Sequence, residues 1–534
     1  MKIFHTRAKS WLIPHLIMLP MLASGMLPDL AHWIMLRPEK GVDIRQQNSR
    51  QVVPGFPAQG RRLWAPESTR SLEQTIARLM HEGDVPGLSL AIVENNEVVY
   101  SRGFGVKSAV TREVVDDDTV FEAASLSKPV FAYAVLKLAD AGKLDLDTPL
   151  VKYLAGYVEN DNRLDLITAR MVLDHTTGFP NWRPFGQPLK IYFDPGSRFS
   201  YSGEGFVYLQ KVVEHIAGKS LAAVMKDLVL DPFGMTSSSY VWQDGYDSRI
   251  AVGHSQAGIA RPVRKPTDPN AASSLHTTAR DYARFVAGLL NLGPLNLGPL
   301  NNGRLKPETW KQMLTPQIKV NEGCVNCTFA VAGKPSSQVS WGLGIGLQQT
   351  ELGQAFWHWG DNNSEYNCFV VGFRDRGAGM VIFTNSGNGL SIIPEIVAAA
   401  FGTRLPAFDW LHYDAYNSPA RLFYRSILDQ GAAPVLARYR ETTKTGPRPE
   451  ILTEAQMNSV GYWLLQRGKS GDAVEVFKQT VADHPQSANA YDSLGEAYIK
   501  LGDKEEAIKS YRKSLELNPG NGNAAQALKT LQAK

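Results

Sequence analysis

Near the C-terminus five residues recur at one displacement: Gly461, Gly468, Ala473, Phe477 and Pro485 return as Gly495, Gly502, Ala507, Tyr511 and Pro519, each 34 residues on. A period of this length points to a helix-turn-helix unit stacked on its own copy. The small residues let the two helices of a unit approach, the aromatic side chains fill the gap between units, and the proline ends the second helix. Unrelated amphipathic helices have no reason to keep five matches in register. Two units bury too little of their faces to stand alone, so helices between Asp409 and Thr453 are predicted to cover the first one.

The pattern resembles the tetratricopeptide repeat, including the run YDSLGEAY from Tyr491. The repeats are assigned to residues 454–534 and a helical connector to 404–453. By this resemblance they dock a protein partner, or else brace the domain before them. That domain has ample length for a large core in a chain of 534 residues. With 43% hydrophobic and 20% charged residues the composition is that of a soluble globular protein. Lys and Arg number 56 against 52 Asp and Glu, and no basic stripe is interleaved with aromatics, so nucleic acid is not an expected partner.

At the other end, Lys2, Arg7 and Lys9 precede the apolar run Trp11 to Leu22 and the small residues Ala23, Ser24 and Gly25. This is the layout of a secretory signal over residues 1–25. The run contains Pro14, His15 and Pro20 and falls short of the roughly 20 apolar residues that span a bilayer. Because Leu27 to Leu36 is also largely apolar, a retained N-terminal membrane anchor is the alternative. Either reading places the protein outside the cytoplasm: periplasmic, secreted, or held at the membrane. Residues 26–70, with RQQNSRQVVPGFPAQGRR, read as a linker. Cys324-Val-Asn-Cys327 reads as a local disulfide or as free thiols, with Cys368 apart; a zinc knuckle would need a second such pair.

Residues 71–403 read as one α/β (α+β) domain. A helix is predicted over Ser71 to His81, then two strands, Leu88 to Val93 and Val98 to Phe104, joined by the turn Glu94-Asn-Asn-Glu97. A helix follows Ser125 through Leu138, with Gly142 as its stop. Short β-rich runs come late, SWGLGIGLQ, EYNCFVVGF and AGMVIFTNS. Strands at both ends and helices between them imply a mostly antiparallel sheet, flanked by helices and closed by both ends of the domain. The duplicated Gly-Pro sequence from Asn291 reads as a surface loop insertion.

The chemistry turns on Ser125-Leu-Ser-Lys128. A serine three residues before a lysine is common; Ser510 and Lys513 repeat the spacing inside a repeat helix. Ser125, however, lies where an extended segment meets a helix, and positions three apart share a helix face, so the Lys128 amine can approach the Ser125 hydroxyl. A capping serine beside a solvated lysine is the alternative reading of the residues alone.

Further segments decide between them. VLDHTTGFPNW from Val172, FDPGSRFSYSGEGFVYL from Phe193, DPFGM from Asp231, AASSLHTTARDYARF from Ala271 and WHWGDN from Trp357 resemble the ordered landmarks of the serine β-lactamase and penicillin-binding protein superfamily. The likeness is greatest to its class C branch, with the related D-aminopeptidases and esterases. The resemblance implies a β-lactamase/transpeptidase-like fold and a serine hydrolase acting on a small-molecule or peptide substrate without metal or cofactor. Ser125 would be the nucleophile, Lys128 its partner, Tyr201 the tyrosine of the second motif and His358-Trp359-Gly360 the third motif. The oxyanion hole would combine the amides of Ser125 and Asp361, with Gly203, Trp359 and Gly360 shaping the substrate site. The Lys128 cation would lower the phenol pKa of Tyr201 and make it the base. Two departures matter. Gly203 stands where the family has Asn, leaving no side-chain amide at that position, and His358 replaces the usual Lys. Both argue for esters, amides or small peptides without a free carboxylate. A cell-wall-peptide-binding protein with little turnover is the other reading.

Overall fold

The computed structural model describes Trp64 and residues 68–291, 304–329, 333–445 and 452–532. The predicted signal or anchor, most of the linker and the duplicated Gly-Pro run after Asn291 lie outside the described residues. Among the described residues ten strands frame the first domain: β1 (Gly87–Glu94), β2 (Glu97–Gly105), β3 (Phe121–Glu122), β4 (His276–Thr277), β5 (Ile318–Asn321), β6 (Pro335–Trp341), β7 (Gly346–Thr350), β8 (Gly353–Asn362), β9 (Tyr366–Phe373) and β10 (Ala378–Thr384). Eight of them form one sheet in the order β2-β1-β10-β9-β8-β7-β6-β5, with every pairing antiparallel. The first hairpin therefore meets the last strand, and Leu88 sits opposite Thr384. Its turn works because Asn95 and Asn96 take φ of 52° and 63°, a left-handed pair that asparagine tolerates and that matches the twist of a hairpin.

Strands β1, β9 and β10 are buried along their whole length. Alternation then divides their side chains between two cores. Leu88, Leu90, Ile92, Val371 and Ile382 face the helices Thr69–Glu82 and Ile393–Phe401. Ala91, Val93, Val370, Val381 and Phe383 face Ser127–Asp140, Gly203–Ala217 and Ala279–Leu290. Helix Ser127–Asp140 is buried nearly all round, which marks it as a central helix, and Gly142 follows it with φ of 67°.

In the repeats, Glu454–Gln466 pairs with Ser470–Asp483, and Ala488–Leu501 with Lys504–Leu517. The repeated glycines sit under the repeated aromatics: a Cβ on Gly461 would come within 2.3 Å of the Phe477 ring, and one on Gly495 within 3.0 Å of Tyr511. The covering helices are Pro419–Gln430 and Ala432–Thr445, whose Tyr424, Ile427 and Leu436 share a core with Met457, Val460 and Phe477. The earlier part of the connector goes elsewhere. Ala407, Trp410, Leu411 and Tyr416 pack into the core beneath the large sheet.

Candidate active site

From His358 to Asn362, β8 pairs with β9 alone, because its ladder to β7 ends at Trp357. The turn Ala124–Leu126 lies against this stretch at Gly360, where a Cβ would come within 2.7 Å of the Ala123 carbonyl oxygen and 3.0 Å of the Ala124 Cβ. Glycine is the residue that permits that approach. Ala124 itself takes φ of 49°, a conformation costly for a side-chain-bearing residue. Hydrogen bonds hold it: Cys368 Sγ donates to the Ala123 carbonyl at 3.0 Å and Ser127 Oγ to the Ala124 carbonyl at 2.6 Å. Arg264 clamps the same region by bridging Glu122 at 2.9 Å and Glu365 at 2.7 Å.

The turn delivers Ser125 to a cavity of about 420 Å³ that Tyr201, Trp359 and Asp361 also line. Lys128, one turn into the helix, is fully buried, and its Nζ donates to Ser125 Oγ and to the Ala272 carbonyl, both at 3.0 Å. The amine also stands 4.7 Å over the Tyr201 ring. Burial disfavours the ammonium and brings the lysine pKa down to about 7.

Tyr201 behaves otherwise than the sequence suggests. Burial drives its pKa far above the ordinary phenol value, and the neighbouring Ser125 hydroxyl offsets this only in part. The expectation that Lys128 turns this phenol into a phenolate is therefore corrected: desolvation exceeds any help from the cation, and the tyrosine stays protonated while the lysine titrates near neutrality. Its hydroxyl oxygen is buried and faces Ser125 without meeting full hydrogen-bond geometry to any group among the described residues.

His358 and Gly360 lie behind the cavity wall. His358 is fully buried, hydrogen-bonded through Nδ1 to the Trp359 carbonyl at 2.7 Å, and its pKa falls to about 3, chiefly through burial and then through the Lys128 charge. It is a neutral imidazole. Asp361 accepts from the Ser364 N–H at 2.9 Å and the Tyr413 hydroxyl at 3.2 Å, and burial raises its pKa. Gly203 opens the helix Gly203–Ala217, and its amide donates to the Asn181 carbonyl oxygen and to Asn181 Oδ1, each at 3.0 Å. A Cβ there would lie 2.7 Å from the Trp182 ring.

Several residues of this site carry no role in the sequence reading. His175 packs at a tilt against Tyr201 with ring centroids 4.4 Å apart and accepts the Ser202 N–H at 3.0 Å through Nδ1. Asn181 lines the cavity; both residues fall inside VLDHTTGFPNW, a segment whose order was informative but whose individual side chains were not. Cys324 and Cys327 form a disulfide, and the loop it closes brings Val325 and Asn326 to the cavity. The Val325 carbonyl accepts the Tyr201 N–H at 3.0 Å. Leu411 and Tyr413 complete the lining from the connector, where nothing in the sequence signals them. Chemically, the arrangement joins a hydroxyl, an amine poised near pH 7 and a neutral phenol at one cavity, a set suited to moving a proton off and onto a reacting oxygen.

The family profile described as Beta-lactamase matches residues 72–394, and a tetratricopeptide repeat profile matches 488–521. Protein flp of Staphylococcus aureus (strain N315) is 24% identical over 218 residues, 38% of this chain and 44% of that protein. Esterase EstB of Burkholderia gladioli is 28% identical over 225 residues, 36% of this chain and 56% of that one. The chain thus spans about half the length of the curated relatives it matches. The fold is shared with the octameric penicillin-binding protein homologue from Pyrococcus abyssi, with a TM-score of 0.52 and 22% identity over 68% of this chain and 82% of that one. With a profile match over more than half of its length, closed around this serine-lysine site, the chain belongs to the beta-lactamase family and carries tetratricopeptide repeats behind it.

Proposed function

We propose that this protein is an extracytoplasmic serine hydrolase that cleaves esters, amides or small peptides through an acyl-enzyme on Ser125. The observation that carries the reading is the buried Lys128 amine 3.0 Å from Ser125 Oγ. In its neutral form Lys128 takes the Ser125 proton as Oγ attacks the substrate carbonyl carbon. The carbonyl oxygen becomes an oxyanion, received by the backbone amides of Ser125 and Asp361, each donor contributing about 3 kcal/mol. The lysinium then returns its proton, by way of the Tyr201 hydroxyl, to the leaving oxygen or nitrogen as that bond breaks. Water attacks the acyl group by the same route in reverse and Ser125 is regenerated.

The cavity wall favours substrates without a free carboxylate. None of the side chains lining it among the described residues is Lys or Arg, and His358 is neutral. The esterase name of the Burkholderia relative supports an ester as the first substrate to try. A bracing role for the repeats and their covering helix is supported by contacts at Gln256, whose Oε1 accepts from Trp463 Nε1 in the repeats at 3.2 Å and whose carbonyl accepts from Arg421 in the covering helix at 3.1 Å.

The test is turnover of a p-nitrophenyl ester series by the protein and by Ser125→Ala, beside a chromogenic cephalosporin. Ester turnover that vanishes in the alanine variant, at a rate well above cephalosporin turnover, is the expected result. Equal silence, or equal turnover, in both proteins would leave Ser125 a residue of the turn Ala124–Leu126 with no catalytic role. Recovery of the native protein from the cytoplasmic fraction with residues 1–25 intact would defeat the extracytoplasmic assignment.

A further inference from the structure

One buried residue from another segment frames Tyr201 on both sides along the chain. The Ser200 N–H donates to the His175 carbonyl oxygen at 2.9 Å, and the Ser202 N–H to His175 Nδ1 at 3.0 Å. The Tyr201 N–H between them takes a different partner, the Val325 carbonyl, at 3.0 Å. His175 is fully buried and holds φ of 60°, a left-handed backbone that a histidine adopts at a cost. Strain of this kind persists where the surroundings fix it, and it clusters at functional sites. The bond from Ser202 also assigns the tautomer: Nδ1 accepts, so the neutral ring carries its hydrogen on Nε2. Burial pushes the imidazole pKa well down, which keeps that acceptor present at neutral pH. Nε2 makes no hydrogen bond among the described residues, so Nδ1 is the ring's anchor. The phenol needs this frame, because its hydroxyl meets full hydrogen-bond geometry to no group among the described residues. Backbone and ring packing alone set its position.

We propose that His175 is a positioning residue that, through the Ser200 and Ser202 amides, holds the Tyr201 hydroxyl in line between Lys128 and the leaving group. In that step the Tyr201 oxygen accepts a proton from the lysinium as its own hydrogen passes to the leaving atom. Both transfers need short distances at once, so a small shift of the phenol costs rate while the binding of substrate is spared. The inference deepens the Ser125 reading and rests on it.

The experiment compares p-nitrophenyl acetate with benzyl acetate. The two share an acyl group, so kcat/KM reports acylation, but nitrophenolate leaves without a proton and benzyl alkoxide needs one. His175→Asn and His175→Gly both tolerate a left-handed backbone, and only the first carries an oxygen for the Ser202 N–H. In His175→Gly, kcat/KM for benzyl acetate is expected to fall about a hundredfold, the cost of misplacing a catalytic group by about 1 Å. That for p-nitrophenyl acetate is expected to fall only several-fold, a split that a merely structural role would not produce. His175→Asn is expected to recover most of the benzyl acetate rate. In a Tyr201→Phe background the difference between the two variants is expected to vanish, since His175 acts through the phenol. Equal losses on the two esters, equal behaviour of the two variants, or a difference that survives Tyr201→Phe overturns the proposal while leaving Ser125 catalysis intact. Nitrogen-15 shifts of His175, assigned by their loss in His175→Asn, are expected to show a bare Nδ1 and a protonated Nε2 in the wild type at pH 7. A proton on Nδ1 overturns the proposal whether or not the glycine variant folds. Turnover that is absent, or that persists in Ser125→Ala, overturns the Ser125 reading and this inference with it.

Discussion

Acidifying the protein from pH 7 to pH 5 is expected to lower kcat/KM about 50-fold, because only the neutral form of Lys128 can accept the Ser125 proton. The lysine is fully buried, with Ser125 Oγ and the Ala272 carbonyl as its hydrogen-bond partners, and its pKa falls from 10.5 to about 7. A depressed folded pKa means that the neutral amine dominates above about pH 7 and is lost below it. Half the molecules carry it at pH 7 and about one in a hundred at pH 5, giving a limb of unit slope under a plateau. The histidines and the tyrosine nearby do not mimic this limb. The pKa of His358 lies at about 3, that of His175 is also pushed well down by burial, and Tyr201 keeps its proton into the alkaline range. The assay is the initial rate of p-nitrophenyl ester hydrolysis read at a pH-independent wavelength, with each sample returned to pH 7 to show that the loss reverses. Lys128→Arg, which holds its proton at every accessible pH, is expected to lose the limb and roughly a thousandfold of the rate. A plateau that runs flat to pH 5, or a limb near pH 10, would refute the assignment of Lys128 as the base.

The same titration acts on stability. Between pH 7 and pH 10.5 the unfolded chain holds a proton that the folded Lys128 has released, so wild-type stability rises with pH there. Relative to Lys128→Met, the wild type is expected to gain about 3 kcal/mol between pH 6 and pH 9 in urea unfolding of the sheet domain; a constant difference would show that the lysine is not desolvated. Reducing Cys324–Cys327 frees the loop whose Val325 carbonyl holds the Tyr201 amide, so dithiothreitol, or the double Ser variant, is expected to raise KM several-fold. Unchanged kinetics with the thiols demonstrably free would remove this loop from the account. Gly461→Val pushes a side chain into the Phe477 ring and is expected to destabilise the repeats by about 2 kcal/mol, whereas Gly471→Ala, which meets nothing within 4 Å, is expected to be neutral or slightly stabilising. Equal thermal unfolding of the two variants would contradict the packing.

What the sequence made legible follows from local rules that tertiary structure could not override. Two asparagines between β-branched runs gave the hairpin, and a five-position match at one period gave the repeats. The serine-lysine spacing placed an amine beside a hydroxyl. It carried no information on depth, and depth decided which of Lys128 and Tyr201 could act as a base. Asn181 was invisible for a related reason: its place at the cavity is held by a backbone amide on another element. The cysteine spacing left a tie or free thiols open, but not the place of that loop at the cavity. Tyr413 had no signal at all, because the connector's return to the sheet is a property of the assembled core.

That return makes the end of the first domain a testable quantity. The family profile stops at residue 394, yet Trp410 is 4% exposed and packs its ring within 6.4 Å of Trp341, Trp357 and Trp359, while Leu411 and Tyr413 line the cavity. A chain ending at residue 403 loses Ala407, Trp410, Leu411 and Tyr416 from the core. Truncating a buried large side chain costs about 2–5 kcal/mol each, so their joint removal approaches the entire 5–15 kcal/mol that holds a domain folded. Such a chain is expected to be insoluble or to fail to label Ser125 with a fluorophosphonate. A chain ending at Ser418, just before the first helix of the repeat core, retains the cavity wall and is expected to label. It also exposes the Gln256 and Ala257 loop that the repeat core covers, so its melting temperature should fall by several degrees. If the chain ending at residue 403 labels and turns over esters with an unchanged KM, Leu411 and Tyr413 are not part of the site. The boundary then lies where the family profile puts it, and the repeats are joined by a linker with no part in catalysis.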